Sequence, residues 1–425
     1  MINKIDCFLP YQDSKSSENI IRHLGGSRVV RHIYLMIADK ELEDTEAPQG
    51  CSFIHVCNIL SSATMHRIAK ECAADYALCI LKLTDITMGT HAIERMARVA
   101  DDTDAALLYS DHYSVENGNT IKHPAIEYQE GSIRDDFDFG SVVMINGEAL
   151  REYARTEECA NYLSAGWYDL RLWLSRWGSI IHLNEILYTE KELDLRASGE
   201  RQFDYVNPKN RNSQIEMEQV ATKHLEAIGA LVDTSAYERP DFNEQEFEIE
   251  ASVVIPVFNR EKTICNAVDS ALSQQTNFRY NVIVVDNHST DATTELLCKY
   301  HDNKKLVHII PDNTGLGIGG CWNVAIDDSR CGRFAIQLDS DDLYSSPYTL
   351  QRIVDAFHEQ NAAMIIGAYR MCDFNHNTLP PGIIDHREWT ENNGCNNALR
   401  INGLGAPRAF FTPLARQIRF PNTSY

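Results

Sequence analysis

Asp339, Asp341 and Asp342 place three carboxylates within four residues, directly after the apolar run Phe334-Ala335-Ile336-Gln337-Leu338. Like charges this close repel, and keeping them ionised together calls for a cation among them. A divalent ion that prefers oxygen ligands, Mg²⁺ or Mn²⁺, meets that need and also takes phosphate oxygens. A strand running into Asp-x-Asp therefore reads as a place where a metal meets a diphosphate, with Asp339 and Asp341 as the metal ligands. The plainer reading is an acidic, solvated turn. The elements around it decide between the two.

Other strands deliver polar groups to the same edge. Residues 251–258 form a continuous apolar run, suited to a strand buried on both faces, and it ends at Asn259. Residues 280–285 predict a second buried strand, ending at Asp286 and Asn287, and 306–310 predict a third. Helical spacing separates them: Ile264, Val268, Ala271 and Leu272 share one face, and Leu296 and Leu297 belong to a second helix. A glycine-rich loop over 315–320 leads into a third helix over 321–327. Strands alternating with helices imply right-handed crossovers and a mainly parallel sheet, whose ligands sit at the carboxyl ends of the strands. Here those ends carry Asn259, Asp286, Asn287, Asp339 and Asp341.

The first half reads as a worn copy of the same plan. Residues 5–10 run into a proline much as 253–256 do, 30–37 predict a second strand and 61–73 a helix. Residues 76–81 stand in the place of 334–338. After them Lys82, Leu83, Thr84 and Asp85 fall where Asp339, Ser340, Asp341 and Asp342 stand, so two of three carboxylates are gone and one has become a cation. A duplicated domain that has lost its metal is expected. The alternative is an unrelated α/β domain. The polar stretch between the halves, with helical spacing over 213–228, reads as a connector. The organisation expected is a degenerate domain over 1–190, a connector with one helix over 191–248 and a second domain over 249–425.

The 425 residues exceed one ordinary core. With 44% hydrophobic and 24% charged residues the composition is that of a soluble globular protein. A net charge of -22 repels nucleic acid, so no nucleic-acid partner is expected. A phosphate-bearing ligand must then be held by local devices: a metal, backbone N–H groups or a few placed Arg and Lys. The 12 cysteines show no Cys-x-x-Cys pair and no zinc spacing. Nothing resembles a secretory leader, and no run approaches the roughly 18 apolar residues of a bilayer span. A cytoplasmic protein is expected, with peripheral membrane association left open.

Taken together these residues resemble family 2 glycosyltransferases with the GT-A fold. The likeness rests on Val254-Ile255-Pro256-Val257-Phe258-Asn259, on Val284-Val285-Asp286-Asn287-His288-Ser289-Thr290-Asp291, on Asn313-Thr314-Gly315, on Trp322-Asn323 and on Leu338-Asp339-Ser340-Asp341-Asp342. It is close over 250–348 and looser over 349–425. It implies two tandem GT-A-like (nucleotide-diphospho-sugar transferase) α/β domains, each a mainly parallel central sheet flanked by helices. It further implies that Pro256, Val257, Phe258, Asn259, Asp286, Asn287, Asn313, Gly315, Trp322, Asn323, Asp339 and Ser340 bind the nucleotide-sugar, with Asp286 bonding the base. Asp339 and Asp341 would hold the ribose and, through Mn²⁺ or Mg²⁺, the diphosphate.

The activity implied is inverting, metal-dependent transfer of a sugar from a nucleotide-sugar donor, a UDP-sugar by default. The acceptor implied is a glycan or a lipid-linked molecule in surface-polysaccharide synthesis. The metal stabilises the departing diphosphate, and a carboxylate base takes the acceptor proton. In the family that base belongs to an acidic pair well downstream. Residues 419–425 look like the approach to it, so the base is expected beyond Tyr425, with the chain truncated and inactive as it stands. Asp385 and Glu388 are the nearest acids after the metal motif and read as solvated surface charges.

Two rivals remain open. Gly315-Leu316-Gly317-Ile318-Gly319-Gly320 matches the dinucleotide fingerprint of an NAD-dependent oxidoreductase. The fingerprint needs its glycines directly after the strand, and Pro311, Asp312, Asn313 and Thr314 intervene. The glycines are expected instead to give a tight path beside a donor sugar, or a turn. The other rival is a non-catalytic sugar-nucleotide or glycan-binding scaffold, for which the eroded Lys82-Leu83-Thr84 motif argues.

Overall fold

The computed structural model describes residues 4–11, 14–37, 46–116, 118–156, 160–191, 208–387, 389–390, 392–401 and 405–422. They fall into two compact units, one of residues 1–231 and 387–403, the other of residues 232–386 and 404–425.

The first unit is built on strands β1 (Ile5–Pro10), β2 (Val30–Ile37), β3 (Cys51–His55), β4 (Tyr76–Ile80), β5 (Asp85–Met88), β6 (Leu107–Glu116), β7 (Asn119–His123), β8 (Val142–Asn146) and β9 (Ile180–Lys191). Helices α1 (Ser14–Gly26), α2 (Ser62–Glu71), α3 (Ala92–Thr103), α4 (Gly147–Thr156) and α5 (Gly166–Trp177) pack on the sheet, followed by α6 (Arg211–Ala227). The strand order is β3-β2-β1-β4-β8-β6-β9-β5, with β7 paired to β6.

The packing of α6 moves the expected boundary. Its Val220, Ala221 and Leu225 are buried with Ile133, Tyr168 and Leu172, so the connector helix belongs to the first unit. A helical turn much later in the chain joins it there. Arg400 is fully buried and pairs with Asp135 at 2.5 Å, and Asn396 meets Glu218 at 2.8 Å. Arg387 and Trp389, near that turn, likewise fall in the first unit.

The second unit carries β10 (Ala251–Val257), α7 (Ile264–Leu272), β11 (Tyr280–Asp286), α8 (Thr293–Leu297), β12 (Leu306–Ile309), α9 (Ile318–Asp327), β13 (Phe334–Gln337) and α10 (Thr349–Gln360). After them come β14 (Met364–Ile366), the antiparallel pair β15 (Tyr369–Cys372) and β16 (Thr378–Ile384), the turn α11 (Asn397–Arg400) given to the first unit, β17 (Arg408–Phe411) and α12 (Thr412–Ile418). The main sheet runs β12-β11-β10-β13-β17-β14. Alternate residues of β10 face opposite layers. Val253, Ile255 and Val257 join the core that includes α7 and α10, and Val254 joins the one that includes α9. Each such side chain, fully withdrawn from water, contributes about 1.5–3 kcal/mol.

The two sheets repeat one plan. In each, four parallel strands in the order third, second, first, fourth are followed by an antiparallel strand that leads directly into a helix: β8 into α4, and β17 into α12. The sheet of the second unit is mainly parallel, as expected. That of the first is mixed, because β8, β6, β7, β9 and β5 extend it through antiparallel pairings besides the parallel β6–β9 pair.

Candidate functional site

The site lies at the carboxyl edge of β10, β11 and β13. Parallel register sets Val257 opposite Asp286, and Asn287 N–H donates to the Val257 carbonyl at 2.9 Å. The loops after β10 and β11 are then zipped together. Asn259 Oδ1 accepts from Thr290 N–H at 2.7 Å, Asn259 N–H donates to Ser289 Oγ at 3.0 Å, and Arg260 N–H donates to Thr293 Oγ1 at 2.8 Å. Two non-glycine residues adopt left-handed backbone here, Asn259 at φ 52° and His288 at φ 61°. Asn visits that region readily; for His it costs about 1–3 kcal/mol, which the surrounding bonds must offset.

Asp286 anchors this arrangement from below. It is wholly buried, and it accepts from Ser289 N–H at 3.0 Å and from the Thr294 hydroxyl at 2.5 Å. His308 Nε2 stands 3.6 Å from its Oδ2. Burial alone would raise its pKa, but His308, Thr294 and Ser289 outweigh it and hold the carboxyl well below the usual range. Each of its oxygens thus accepts one hydrogen bond from the protein, which leaves acceptor capacity beside them. The half-buried Asn287 beside it donates to the Leu316 carbonyl at 2.7 Å and keeps its Oδ1 without a protein partner.

The acidic turn follows β13. Asp342 N–H donates to the Asp339 carbonyl at 3.1 Å and closes it. Asp339 is half-buried, Ser340 buried, and Asp341 and Asp342 exposed. Although Asp342 keeps a solvent-facing side, partial desolvation and then the charges of Asp339 and Asp341 push its carboxyl up to about 6. A cation reaches the turn: Arg260 Nε lies 3.5 Å from Asp341 Oδ2. Carboxylate oxygens of this kind, close in sequence at one turn, are the hard ligands a divalent ion takes. No three His, Cys, Asp or Glu side chains among the described residues converge on one point.

The remaining sequence-derived residues divide in two. Phe258 is 52% exposed, Pro256 is half-buried, and Asn313 and Gly315 lie open on the loop before α9, where Asn313 Oδ1 accepts from Gly315 N–H at 2.9 Å. Phe258, Asn313 and Gly315 are thus open to solvent, while Pro256 and Asn287 are only partly so. Val257 is in the core. Trp322 is also buried, against Phe410 and Phe420. Asn323 binds the chain near its end, donating to the Phe420 carbonyl at 2.8 Å and accepting from Phe420 N–H at 3.0 Å. Asn422 Oδ1 accepts from Gly317 N–H at 2.8 Å. A Cβ on Gly319 would lie 2.0 Å from the Pro421 carbonyl oxygen. Gly319 and Gly320 thus make room for residues 420–422, and neither a pyrophosphate nor a donor sugar explains them.

A cleft of about 580 Å³ opens beside this loop, lined by Ile310, Asn313, Leu316 and Asn323 among others. A larger one of about 860 Å³ lies at the amino ends of the strands, among Arg279, Lys305 and Arg330, away from the converging polar groups. Among the sequence-derived acids, Asp385 is half-buried after β16, while Glu388 and residues 423–425 lie outside the described residues.

In the first unit the matching edge has been closed. Thr84 donates to the Lys191 carbonyl at 2.7 Å, and Asp85 opens β5, which pairs with β9. What is a free acidic turn after β13 is a β-ladder after β4.

Residues 252–420 match the family model described as Glycosyl transferase family 2. This part of the chain is a family 2 glycosyltransferase domain. Its relatives include the succinoglycan biosynthesis protein ExoO of Rhizobium meliloti, 35% identical over 106 residues, which are 25% of this chain and 29% of that protein. Another is the poly(ribitol-phosphate) beta-N-acetylglucosaminyltransferase TarS of Staphylococcus aureus, 32% identical over 117 residues, 27% of this chain and 20% of that one. The chondroitin synthase of Escherichia coli is 33% identical over 132 residues, 31% and 19% of the two chains. A crystal structure of S. aureus TarS with UDP-GlcNAc aligns over 41% of this chain and 49% of its own, at 24% identity and a TM-score of 0.33. The chain spans less than a third of the length of these curated relatives. No described helix of either the transferase domain or the first unit is long and apolar enough to cross a membrane.

Proposed function

We propose that the second unit transfers a sugar, with inversion, from a nucleotide-sugar donor to a glycan or lipid-linked acceptor in surface-polysaccharide synthesis. The donor proposed is a UDP-sugar. The observation that carries this reading is the acidic turn at Asp339, Asp341 and Asp342, set at the carboxyl edge of the sheet with Arg260 beside Asp341.

Asp339 and Asp341 would hold Mn²⁺ or Mg²⁺, which when bound supplies positive charge to a departing diphosphate. Phe258 and Pro256 offer an apolar wall for a base. Arg260, with an exposed side chain against Asp341, is placed to turn toward phosphate oxygens once a metal satisfies that carboxylate. The first unit, its matching edge closed by β5, serves as a non-catalytic support or binding domain.

The test is a calorimetric titration with UDP-glucose, UDP-GlcNAc and GDP-mannose, each with and without MnCl₂. Binding of a uridine donor only with the metal is expected, and its loss in Asp341→Asn. Equal binding with and without metal, or none of any donor, overturns the reading.

A further inference from the structure

Gln337 is the one polar side chain within β13, an otherwise apolar strand buried along its whole length, and it is only 3% exposed. A primary amide withdrawn from water this far needs its hydrogen-bonding groups met. Gln337 finds partners on both sides. Its Oε1 accepts from Arg408 N–H at 3.2 Å and from Arg408 Nε at 3.0 Å. Its Nε2 donates to Asp339 Oδ1 at 2.8 Å.

The direction of this chain is fixed by chemistry. A guanidinium and a backbone N–H only donate, so the amide oxygen must face Arg408. The amide NH₂ is thereby turned toward Asp339, and a flipped amide would set donors against donors on one side and two acceptors against each other on the other. The ladder supplies the geometry. β17 runs antiparallel to β13 with Ile336 opposite Ala409, so Arg408 arrives beside Gln337.

We infer that Gln337 is a positioning residue for the donor site, and that Arg408 acts through it. The pair engages Oδ1 of Asp339 and leaves Oδ2 as the oxygen presented to ligand. It restrains the rotation of a half-buried carboxylate that otherwise faces the like charges of Asp341 and Asp342. The inference rests on the donor site proposed above, and extends it to two residues outside the motifs.

The experiment measures affinity for UDP, with and without MnCl₂, in the wild type and in Gln337→Met, Arg408→Met and the double variant, each checked for folding by thermal melting. Gln337→Met is expected to lower the Mn²⁺-dependent affinity about tenfold, the loss of one hydrogen bond to a charged group. Affinity without metal should hardly change; a residue that only packs would lower both alike. Arg408→Met should lose a smaller factor of the same kind, and the double variant should lose no more than Gln337→Met alone. Should Gln337→Met fail to fold, Arg408→Met carries the test, since its side chain is only half-buried. A folded Gln337→Met that binds UDP with Mn²⁺ as the wild type does overturns the relay, as do losses that add in the double variant. If the wild type does not bind UDP with Mn²⁺, the donor site itself is wrong, a result distinct from failure of the relay alone.

Discussion

Asp286 and Thr294 are joined by a 2.5 Å hydrogen bond in which the buried carboxylate accepts from the hydroxyl. This contact, with Ser289 N–H on the other oxygen, ties the end of β11 to the start of α8. Asp286→Asn should therefore act on stability first. The amide turns donors toward Thr294 or Ser289, and a loss of about 1–3 kcal/mol is expected in urea unfolding, with an unchanged m-value. Donor affinity in the protein that remains folded should fall far less than in Asp341→Asn.

The same carboxylate sets a pH dependence. Its folded-state pKa lies below its ordinary value of 3.8, so its stabilisation is present above that value. It is lost as pH falls from 3.8 through the lower folded value. Stability of the wild type should decline on that acid flank. Asp286→Asn should show a shallower decline there and its full deficit at neutral pH. Equal slopes in the two proteins would remove Asp286 from the account.

The close approach of Gly319 to Pro421 yields a third expectation. Gly319→Ala puts a methyl group 2.0 Å from a carbonyl oxygen, and backbone must move. Residues 420–422 should detach from α9, visible as faster amide exchange at Phe420, whose N–H is otherwise held by Asn323. Unchanged exchange there would mean that the segment is held by something else.

The first unit gives a negative expectation. Restoring acids with Lys82→Asp and Thr84→Asp should create no Mn²⁺ site, because Thr84 and Asp85 lie in or beside the β5–β9 ladder and form no free turn. Lys82→Ala and Asp85→Asn should leave nucleotide binding by the second unit unchanged. Retention of full UDP affinity, measured by calorimetry, checks it.

Much of this architecture was legible in residues 251–258, 280–287 and 334–342. Continuous Val and Ile runs announce buried parallel strands, and their polar ends announce an edge. The repeat was legible too, since a strand into proline and a strand into Lys82 recur in order. What stayed hidden depends on partners far along the chain. Gln337 looks like an ordinary polar interruption until Arg408, 71 positions later, arrives across the ladder. A polar residue inside a strand predicted to be buried on both faces was the one available signal. Trp322 and Asn323 match a motif, yet residues 420–422 decide what they touch. Asp286 matches as well, but its depth below Asn287 follows from the 259–260 and 289–294 loops closing over it.

Asp339 and Asp341 are proposed to hold a divalent ion together with a nucleoside diphosphate. The loss of the free-Mn²⁺ electron paramagnetic resonance signal measures this directly when protein is added with UDP. About one Mn²⁺ per chain should be sequestered when UDP is present, much less in its absence, and little in Asp341→Asn. Sequestration that ignores UDP, or that persists unchanged in Asp341→Asn, would contradict it.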